Sequence, residues 1–593
     1  MPYLARLVSQ PGESIKHLRN ILPFLRTYRK QILLGTLLVL LTNVLGVFVP
    51  RVLGLAIDDL RRGLEDHSLG WYITVLLGLS VLSGVARFGM RRILIGSSRQ
   101  VERDLRALFF KRLLELSPRF FVRNRTGDIM SRATTDIENV RMAAGPGLMY
   151  TLDTLVLTSF ALVMMLGISV KLSLVVLVML PVVSSLVYMI SKRIHRLSMQ
   201  SQEKYGRISS MVQETASGIR VIQAYSREEF MAGRFDRELE DYRRLQMSLI
   251  TTDASFRPML TGLFSVAQAL LLWLGGKAIV AGTLSLGDYV AFSTYTAMLA
   301  WPTIAIGWVT NLMQRGDAGM KRLEGIIREP DRLGEGVVKA PGKGHIQVRK
   351  LSFRYSEDSP WILRELDLDL AAGTILGIVG PTGSGKSTLL RLICRELEPV
   401  EGTVELDGTP LAALSLDSLR NAMAVVPQDA FLFSETLRNN VRFGREHASE
   451  ALFDQSGRIS HIQQDIAQLA DGWESAIGER GITLSGGQKQ RSTIARAVMM
   501  EPAVLVLDDC LSAVDNHTEQ QIIAGLREYM KGRTTLIASH RLSALAEADR
   551  IIVLDAGRIS ESGTHEELLA LGGVYADLYQ RQQLEDELSG EAA

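Results

Sequence analysis

Residues 380–388 read Gly-Pro-Thr-Gly-Ser-Gly-Lys-Ser-Thr and stand between a short apolar run, Ile375–Val379, and a segment with helical character, Ser387–Glu396. A strand, a glycine-rich loop and a helix in this order form the context in which such a loop binds phosphate. The glycines let backbone N–H groups approach phosphate oxygens, and the positive end of the helix faces the same anion. This stretch predicts an α/β nucleotide-binding domain in the second half of the chain.

The side chains of this loop suit the binding of ATP with Mg²⁺. Lys386 can reach the β and γ phosphates, Ser387 can coordinate Mg²⁺, and Thr388 can hydrogen-bond phosphate. A second apolar strand, Ala503–Leu507, ends at Asp508, and a carboxylate in this position holds Mg²⁺ through water. The predicted nucleotide-binding residues of the loop are Gly380, Thr382, Gly383, Ser384, Gly385, Lys386, Ser387 and Thr388.

The two halves of the chain differ in composition. The chain has 593 residues; residues 31–313 contain long apolar runs, whereas residues 346–580 have the composition of a soluble globular domain. We therefore predict a membrane domain at 1–320, a linker at 321–345 and a nucleotide-binding domain at 346–593. The net charge of +2 is too small to indicate a nucleic-acid partner, and the two cysteines cannot form a disulfide framework.

Six stretches are apolar and long enough to cross a bilayer as helices, which takes about 20 residues each. They are 31–52, 71–95, 147–169, 171–192, 259–281 and 287–313. Basic residues concentrate in the N-terminal flank and in the two long connections, so these parts and the nucleotide-binding domain face the cytoplasm. We expect the spans to continue as helices into the cytoplasm, with a turn near Arg125–Asp128. A bacterial inner membrane suits such a chain.

Polar side chains inside the spans are candidates for a substrate pathway, because intramembrane polar groups tend to face the interior of a helix bundle. The candidates are Asn43, Asp153, Gln268 and Lys277. Asp153 and Lys277 also lie near the ends of their spans, where a lysine can extend its amine to the membrane surface. The sequence alone does not separate substrate contacts from groups that only support the bundle.

A second motif, Leu484-Ser485-Gly486-Gly487-Gln488, follows the loop by about a hundred residues. Together with the loop and the membrane half, it resembles the ATP-binding cassette (ABC) exporters, specifically half-transporters with one membrane domain fused ahead of one nucleotide-binding domain. The resemblance covers essentially the whole chain. It implies an ATPase coupled to transport, a lipid bilayer, and a second half-transporter as partner, whose phosphate-binding loop faces this motif across a shared ATP.

The resemblance also implies roles for residues outside the loop. Tyr355 matches the aromatic residue that stacks on adenine, and Gln428 matches the glutamine between the two lobes, which takes part in catalysis and binds Mg²⁺. His540 matches the switch histidine, so that Asp509, His540 and Gln428 are the implied catalytic residues. The residues implied to contact ATP at the dimer interface are Ser485, Gly486, Gly487, Gln488 and Asp515.

One position departs from the family pattern. Family members with full activity carry glutamate after the strand-ending aspartate, whereas this chain carries Asp509, which is one methylene shorter. A general base, or a group that orients water, tolerates little displacement, so we expect slow hydrolysis at this chain's own loop. The chain then resembles the degenerate-site subunit of bacterial heterodimeric multidrug-type exporters, which has a glutamate-bearing partner.

The function favoured by these patterns is ATP-driven export of hydrophobic or amphipathic small molecules, drugs or lipids, by alternating access. Two alternatives stay open. One is a homodimeric lipid flippase with two equivalent sites, which requires Asp509 to work after a small backbone shift. The other is an ATP-gated channel or regulator. The sequence identifies neither the substrate nor the partner.

Overall fold

The computed structural model describes residues 16–330, 334, 336–467, 469–478, 484–511, 516–542 and 545–588. The chain divides into two compact units. The first, here called the membrane unit, consists of Met1–Leu114 and Asn124–Glu329. The second, here called the nucleotide unit, consists of Glu115–Arg123 and Pro330–Ala593.

The first half of the chain is helical. Its helices are α1 (Leu22–Thr27), α2 (Arg29–Arg62), α3 (Leu69–Glu115), α4 (Pro118–Arg123), α5 (Thr126–Ser131), α6 (Ile137–Met142), α7 (Leu148–Ile168), α8 (Val170–Ser217), α9 (Ile219–Ala224), α10 (Glu228–Val280), α11 (Leu286–Met298) and α12 (Ala300–Ile327). A 3₁₀ turn, Leu18–Ile21, precedes them. Two π-helical segments, Arg132–Asp136 and Ala143–Gly147, join α5, α6 and α7 without a break.

Six helical stretches of the described residues are long and apolar enough to span a membrane. They are Arg29–Arg62, Leu69–Glu115, Thr126–Ile168, Val170–Ser217, Glu228–Val280 and Leu286–Ile327. Each covers one of the predicted spans to within one residue, so the prediction of six membrane helices is confirmed. At 1.5 Å per residue, the 47 residues of α3 extend for about 70 Å, more than twice the ~30 Å of a bilayer core. The helix therefore continues well beyond the membrane.

The first long connection is more helical than expected. The turn predicted at Arg125–Asp128 is confined to its first residue: Arg125 has an extended backbone, and helix α5 begins at Thr126. Asp128 lies in the first turn of α5, where a carboxylate is favourable because the helix N-terminus is positive. The prediction of a four-residue turn was therefore wrong at its last three residues.

The described residues of the nucleotide unit form ten strands and a set of helices. The strands are β1 (Ile346–Phe353), β2 (Leu363–Leu370), β3 (Ile375–Val379), β4 (Glu401–Leu406), β5 (Thr409–Pro410), β6 (Met423–Val426), β7 (Val504–Asp508), β8 (Thr534–Ala538), β9 (Arg550–Asp555) and β10 (Arg558–Gly563). The helices are α13 (Lys386–Ile393), α14 (Leu416–Ala422), α15 (Leu437–Arg442), α16 (Glu450–Ile459), α17 (Gln463–Ile466), α18 (Gly486–Met499), α19 (Asn516–Met530), α20 (His565–Leu571) and α21 (Val574–Leu588).

These strands form two sheets. An antiparallel sheet has the order β2-β1-β4-β5, and a mainly parallel sheet has the order β10-β9-β3-β8-β7-β6. Strands β3 and β7 both pair in parallel with β8, which lies between them. Both are almost wholly apolar and buried, as expected for central strands of a parallel sheet. Their carboxyl ends therefore meet at one sheet edge, where ligands bind in such folds.

Candidate functional site

The phosphate-binding loop joins β3 to α13 and requires glycine at defined positions. Gly380, Gly383 and Gly385 have φ angles of +153°, +84° and +105°, which residues with a side chain rarely adopt. A Cβ on Gly380 would lie 2.1 Å from the carbonyl oxygen of Leu554, and a Cβ on Gly385 would lie 2.6 Å from Leu363 Cδ2. The backbone of the loop is thus fixed in a shape that only these residues permit.

Two polar side chains of the loop, the ammonium of Lys386 and the hydroxyl of Ser384, are buried. Lys386 Nζ donates to the carbonyl oxygens of Gly380 (2.8 Å) and Pro381 (3.2 Å). Burial lowers the pKa of Lys386, and the two carboxylates at the end of β7 oppose that shift. Ser384 Oγ is buried and has no hydrogen-bond partner among the described residues. The Lys386 ammonium and the Ser384 hydroxyl suit a phosphate group, because its oxygens accept hydrogen bonds from both.

The start of α13 is tied to the end of β7. Ser387 Oγ donates to Asp508 Oδ1 at 2.9 Å. Burial raises the pKa of Asp508, and the hydrogen bond from Ser387 partly offsets this shift. A hydroxyl and a carboxylate are hard oxygen donors of the kind Mg²⁺ prefers, so the two residues predicted to hold Mg²⁺ fit that role chemically.

Asp509, the residue that departs from the family pattern, lies at the same sheet edge. Its backbone is left-handed, with φ at +46°, and its N–H donates to the carbonyl oxygen of Ala538, the last residue of β8, at 2.8 Å. Gln428 Nε2 donates to Asp509 Oδ2 at 3.2 Å. The structure thus brings Gln428, Asp508 and Asp509 together beside Lys386 and Ser387.

Tyr355, the predicted adenine-stacking residue, lies close to the loop. Its hydroxyl is 3.3 Å from Thr388 Oγ1, and its ring meets the Phe353 ring edge-on at 5.1 Å. Arg119 Nη2, from helix α4 of the nucleotide unit, donates to the Tyr355 carbonyl oxygen at 2.5 Å. Sequence reasoning missed Arg119, because nothing in its local pattern indicates that α4 packs with residues more than two hundred positions away.

The segment Leu484–Gln488, here called the signature segment, forms the start of α18. Ser485 is the N-cap residue and forms a reciprocal capping box with Gln488, which satisfies two of the free N–H groups at this helix end. Gln488 Nε2 also donates to Asp465 Oδ1 at 3.4 Å, and Arg491 forms a two-pronged ion pair with Asp465 at 2.7 Å. The capping box and the contacts with Asp465 therefore fix the direction of this helix end.

His540 and the loop share a cavity of about 400 Å³. The cavity is lined by Val379, Gly380, His540, Arg541, Leu542, Leu578, Arg581 and Gln582. The Leu542 N–H donates to Gln582 Oε1 at 2.9 Å, so the C-terminal helix α21 supports the segment that carries His540. Sequence reasoning missed Gln582 as well, since a glutamine in a mostly polar helix carries no motif.

Two predicted nucleotide-binding residues, Thr382 and Asp515, lie outside the contacts described above. Thr382 is an exposed residue of the loop. Asp515, together with the rest of Ser512–Asp515, lies outside the described residues. Within the part of the chain that the structure describes, Ser485 and Gln488 form no hydrogen bond with the loop. The loop and the signature segment, both predicted to contact ATP, are thus separate elements of the described chain.

Comparison with known proteins identifies the chain. Residues 32–303 match the model of the ABC transporter transmembrane region, and residues 363–512 match the ABC transporter model. A probable multidrug resistance ABC transporter ATP-binding/permease protein of Bacillus subtilis is 36% identical over 95% of this chain and 97% of its own. This chain belongs to the ABC transporters. The solved structure of a bacterial Atm1-family ABC exporter with ATP bound matches with a TM-score of 0.76 at 27% identity, covering 94% of this ABC transporter and 99% of that chain.

Other relatives of this ABC transporter carry different functional names. An Escherichia coli protein named multidrug resistance-like ATP-binding protein is 36% identical over 95% of this chain and 96% of its own. An ATP-dependent lipid A-core flippase of Chromohalobacter salexigens is 32% identical over 96% of this chain and 98% of its own. The chain is therefore a multi-pass bacterial inner-membrane protein of the exporter half-transporter type, with an ATPase domain coupled to transport.

Proposed function

We propose that this ABC transporter exports hydrophobic or amphipathic small molecules, drugs or lipids, as the weakly hydrolysing subunit of a heterodimer. The export of drugs or lipids is supported by the names of relatives that match nearly the whole chain. The heterodimer rests on a single observation, the conformation and contacts of Asp509. The partner is then a second half-transporter with glutamate at the corresponding position.

Two properties of Asp509 support slow hydrolysis, and a third makes aspartate compatible with this backbone position. Its side chain is one methylene shorter than glutamate, so its carboxylate stops about 1.5 Å short of the position a glutamate would reach. Its N–H is hydrogen-bonded to Ala538 in the central strand β8, so the backbone cannot move forward to restore that distance. Its left-handed φ of +46° suits aspartate, which enters this region more readily than glutamate.

The other residues of the site retain the features needed to bind nucleotide. Lys386 and the loop N–H groups hold the phosphates, and Tyr355 stacks on the adenine. Ser387, Asp508 and Gln428 would hold Mg²⁺, which neutralises charge on the phosphates when it is bound. His540, which lines a cavity together with Gly380 of the loop, is assigned to the terminal phosphate. Binding without rapid hydrolysis is therefore the expected behaviour of this chain's own site.

The signature segment serves the partner's site. Ser485 and the N–H groups at the start of α18 present a positive helix end, and in a dimer of cassettes this end completes the phosphate site of the opposite chain. Asp515 is assigned to the same interface. Closure of the two cassettes on ATP favours the outward-facing state because ATP binds the closed dimer more tightly. Hydrolysis at the partner's loop then resets the cycle.

The deciding experiment measures Mg-ATPase activity of the full-length chain, alone in lipid, as wild type and as Asp509→Glu. We expect almost no ATPase activity from the wild type. The activity of the glutamate variant should be at least about tenfold higher, because the longer side chain restores the geometry that orients water. Asp509→Asn is the matched control, since it keeps the shape and tolerates the left-handed backbone but removes the carboxylate. It should show no gain.

A fast wild-type enzyme that changes little on Asp509→Glu would overturn the heterodimer. The chain would then be a working homodimer, and the lipid A-core flippase relative gives this second candidate specific support. Stimulation of the wild-type ATPase by lipid, with the chain alone, would favour that candidate. Ion conductance without directional transport would instead indicate a channel or regulator.

A further inference from the structure

His540, the predicted switch histidine, is directed by the backbone on either side of it. The residue is exposed, and within the described part of the chain its imidazole forms no hydrogen bond and no ion pair. The strand before it ties down one side, because the Ser539 N–H donates to the carbonyl oxygen of Ile378 in β3 at 3.4 Å. The direction of the imidazole therefore depends on what holds the chain after His540.

The chain after His540 is held by two side chains. The Arg541 N–H donates to Ser539 Oγ at 2.9 Å. The Leu542 N–H donates to Gln582 Oε1, also at 2.9 Å. Leu542 is only 2% exposed, and a buried N–H that loses its acceptor costs about 1–3 kcal/mol. Gln582 therefore fixes the backbone two residues from the imidazole.

Helix α21, which carries Gln582, is anchored at its start. The N–H groups of Val574 and Tyr575 both donate to the carboxylate of Glu561 in β10. The Tyr575 side chain is fully buried, and its hydroxyl lies 2.7 Å from Nδ1 of His565 in α20. The start of α21 is therefore fixed to two neighbouring elements, and a side chain on such a helix can hold another segment in place.

One face of α21 carries both the anchor and the glutamine. Tyr575, Leu578 and Gln582 are separated by three and four positions, so they lie on the same side of the helix. About 10 Å, or two turns, separates the first from the last. Leu578 and Gln582 both line the cavity that also contains Gly380 and His540. The anchored face thus brings the amide to the cavity shared by the loop and the switch histidine.

We propose that Gln582 is a positioning residue, which directs His540 towards the terminal phosphate of ATP and so lets the site distinguish ATP from ADP. ADP lacks that phosphate, so only ATP gains from a correctly directed imidazole. At a site that hydrolyses slowly, this preference decides which of the two nucleotides fills it. The inference rests on the role proposed above for His540 and deepens it, because it names the residue that keeps the histidine in place.

The test measures displacement of a fluorescent nucleotide from the full-length chain in phospholipid nanodiscs with Mg²⁺. The competitors are ADP and AMP-PNP, an ATP analogue that resists hydrolysis. Gln582→Leu removes the acceptor, so the affinity for AMP-PNP should fall about fivefold, while that for ADP stays within about twofold of wild type. Gln582→Glu keeps an acceptor oxygen, and Arg541 and Arg581 line the same cavity and balance its charge. This variant should retain both affinities within about twofold.

Gln583→Leu is the matched control. Gln583 is the same residue type on the same helix, but it is exposed and does not line the cavity, so this variant should bind both nucleotides like wild type. His540→Ala gives the loss of AMP-PNP affinity that follows from removing the imidazole itself. The loss in Gln582→Leu should not exceed it, because a misdirected imidazole cannot cost more than an absent one.

Three results would overturn the positioning role of Gln582. The first is wild-type affinity for AMP-PNP in Gln582→Leu, and the second is an equal loss for AMP-PNP and ADP, which would mean that α21 supports the whole site. The third is an unchanged ratio of the two affinities in His540→Ala. If Gln582→Leu does not fold, Gln582→Met decides, since it keeps the unbranched shape without the amide. Because AMP-PNP is not hydrolysed, these results are independent of the ATPase test at Asp509, and either proposal can fail alone.

Discussion

In the nucleotide unit, polar side chains crowd the carboxyl ends of β3 and β7, whereas in the membrane unit they are scattered and mostly satisfied in pairs. The backbone conformation creates the crowded site. Gly380 and Asp509 have positive φ angles, and the Lys386 ammonium donates a hydrogen bond to a carbonyl oxygen of the loop. The membrane pairs, such as Gln268 with Ser293, arise from side chains alone. The loop is therefore encoded locally, whereas a contact such as that of Asn43 with Asp153 joins helices far apart in sequence.

The largest expected effect comes from a substitution that displaces the backbone of the crowded site. Gly380→Ala places a Cβ 2.1 Å from the Leu554 carbonyl oxygen, which forces the loop to move. We expect the affinity for ATP to fall at least about a hundredfold, since several loop N–H groups lose their positions together. Equilibrium binding of a fluorescent ATP analogue to the full-length protein measures this change.

Gly383→Ala is the control for this prediction. Gly383 also has a positive φ, +84°, but a Cβ there meets nothing within 4 Å. Only the cost of a left-handed alanine remains, about 1 kcal/mol, so a loss of roughly fivefold is expected. Equal losses in both variants would show that φ alone, and not the close approach to β9, fixes the loop.

An intermediate effect concerns the signature segment. Ser485→Ala removes a helix cap worth about 1 kcal/mol, so amide exchange in the first turn of α18 should accelerate about fivefold. Thr564→Ala provides the comparison, because Thr564 forms the same kind of capping box with Glu567 at the start of α20, among residues with no predicted nucleotide role. Both variants should loosen their own helix, as measured by hydrogen exchange.

Only Ser485→Ala should also lower the ATPase rate of the assembled transporter, because only that helix end faces a shared nucleotide in the proposed dimer. An equal loss of activity in Thr564→Ala would mean that general destabilisation, not the direction of the α18 end, limits turnover. The two capping boxes thus separate a functional helix end from a structural one within the same unit.

The same difference between the units explains what the sequence could predict. The six spans follow from the thickness of a bilayer, and Lys386 and Ser387 follow from a loop that works through local backbone shape. Arg119 and Gln582 reach the site through packing between distant segments, which no local pattern records. The four polar residues of the spans could be named from the sequence, but their partners, such as Ser293 for Gln268, could not.

The smallest expected effect lies in the membrane unit, where Gln268 and Ser293 hold α10 against α11. A double-mutant cycle of Gln268→Leu and Ser293→Ala should give a coupling energy of about 0.6 kcal/mol, as is common for hydrogen bonds between membrane helices. Reversible unfolding in mixed detergent measures it. A coupling energy near zero would show that the two side chains do not support each other, and the contrast between the nucleotide site and the paired membrane side chains would then fail.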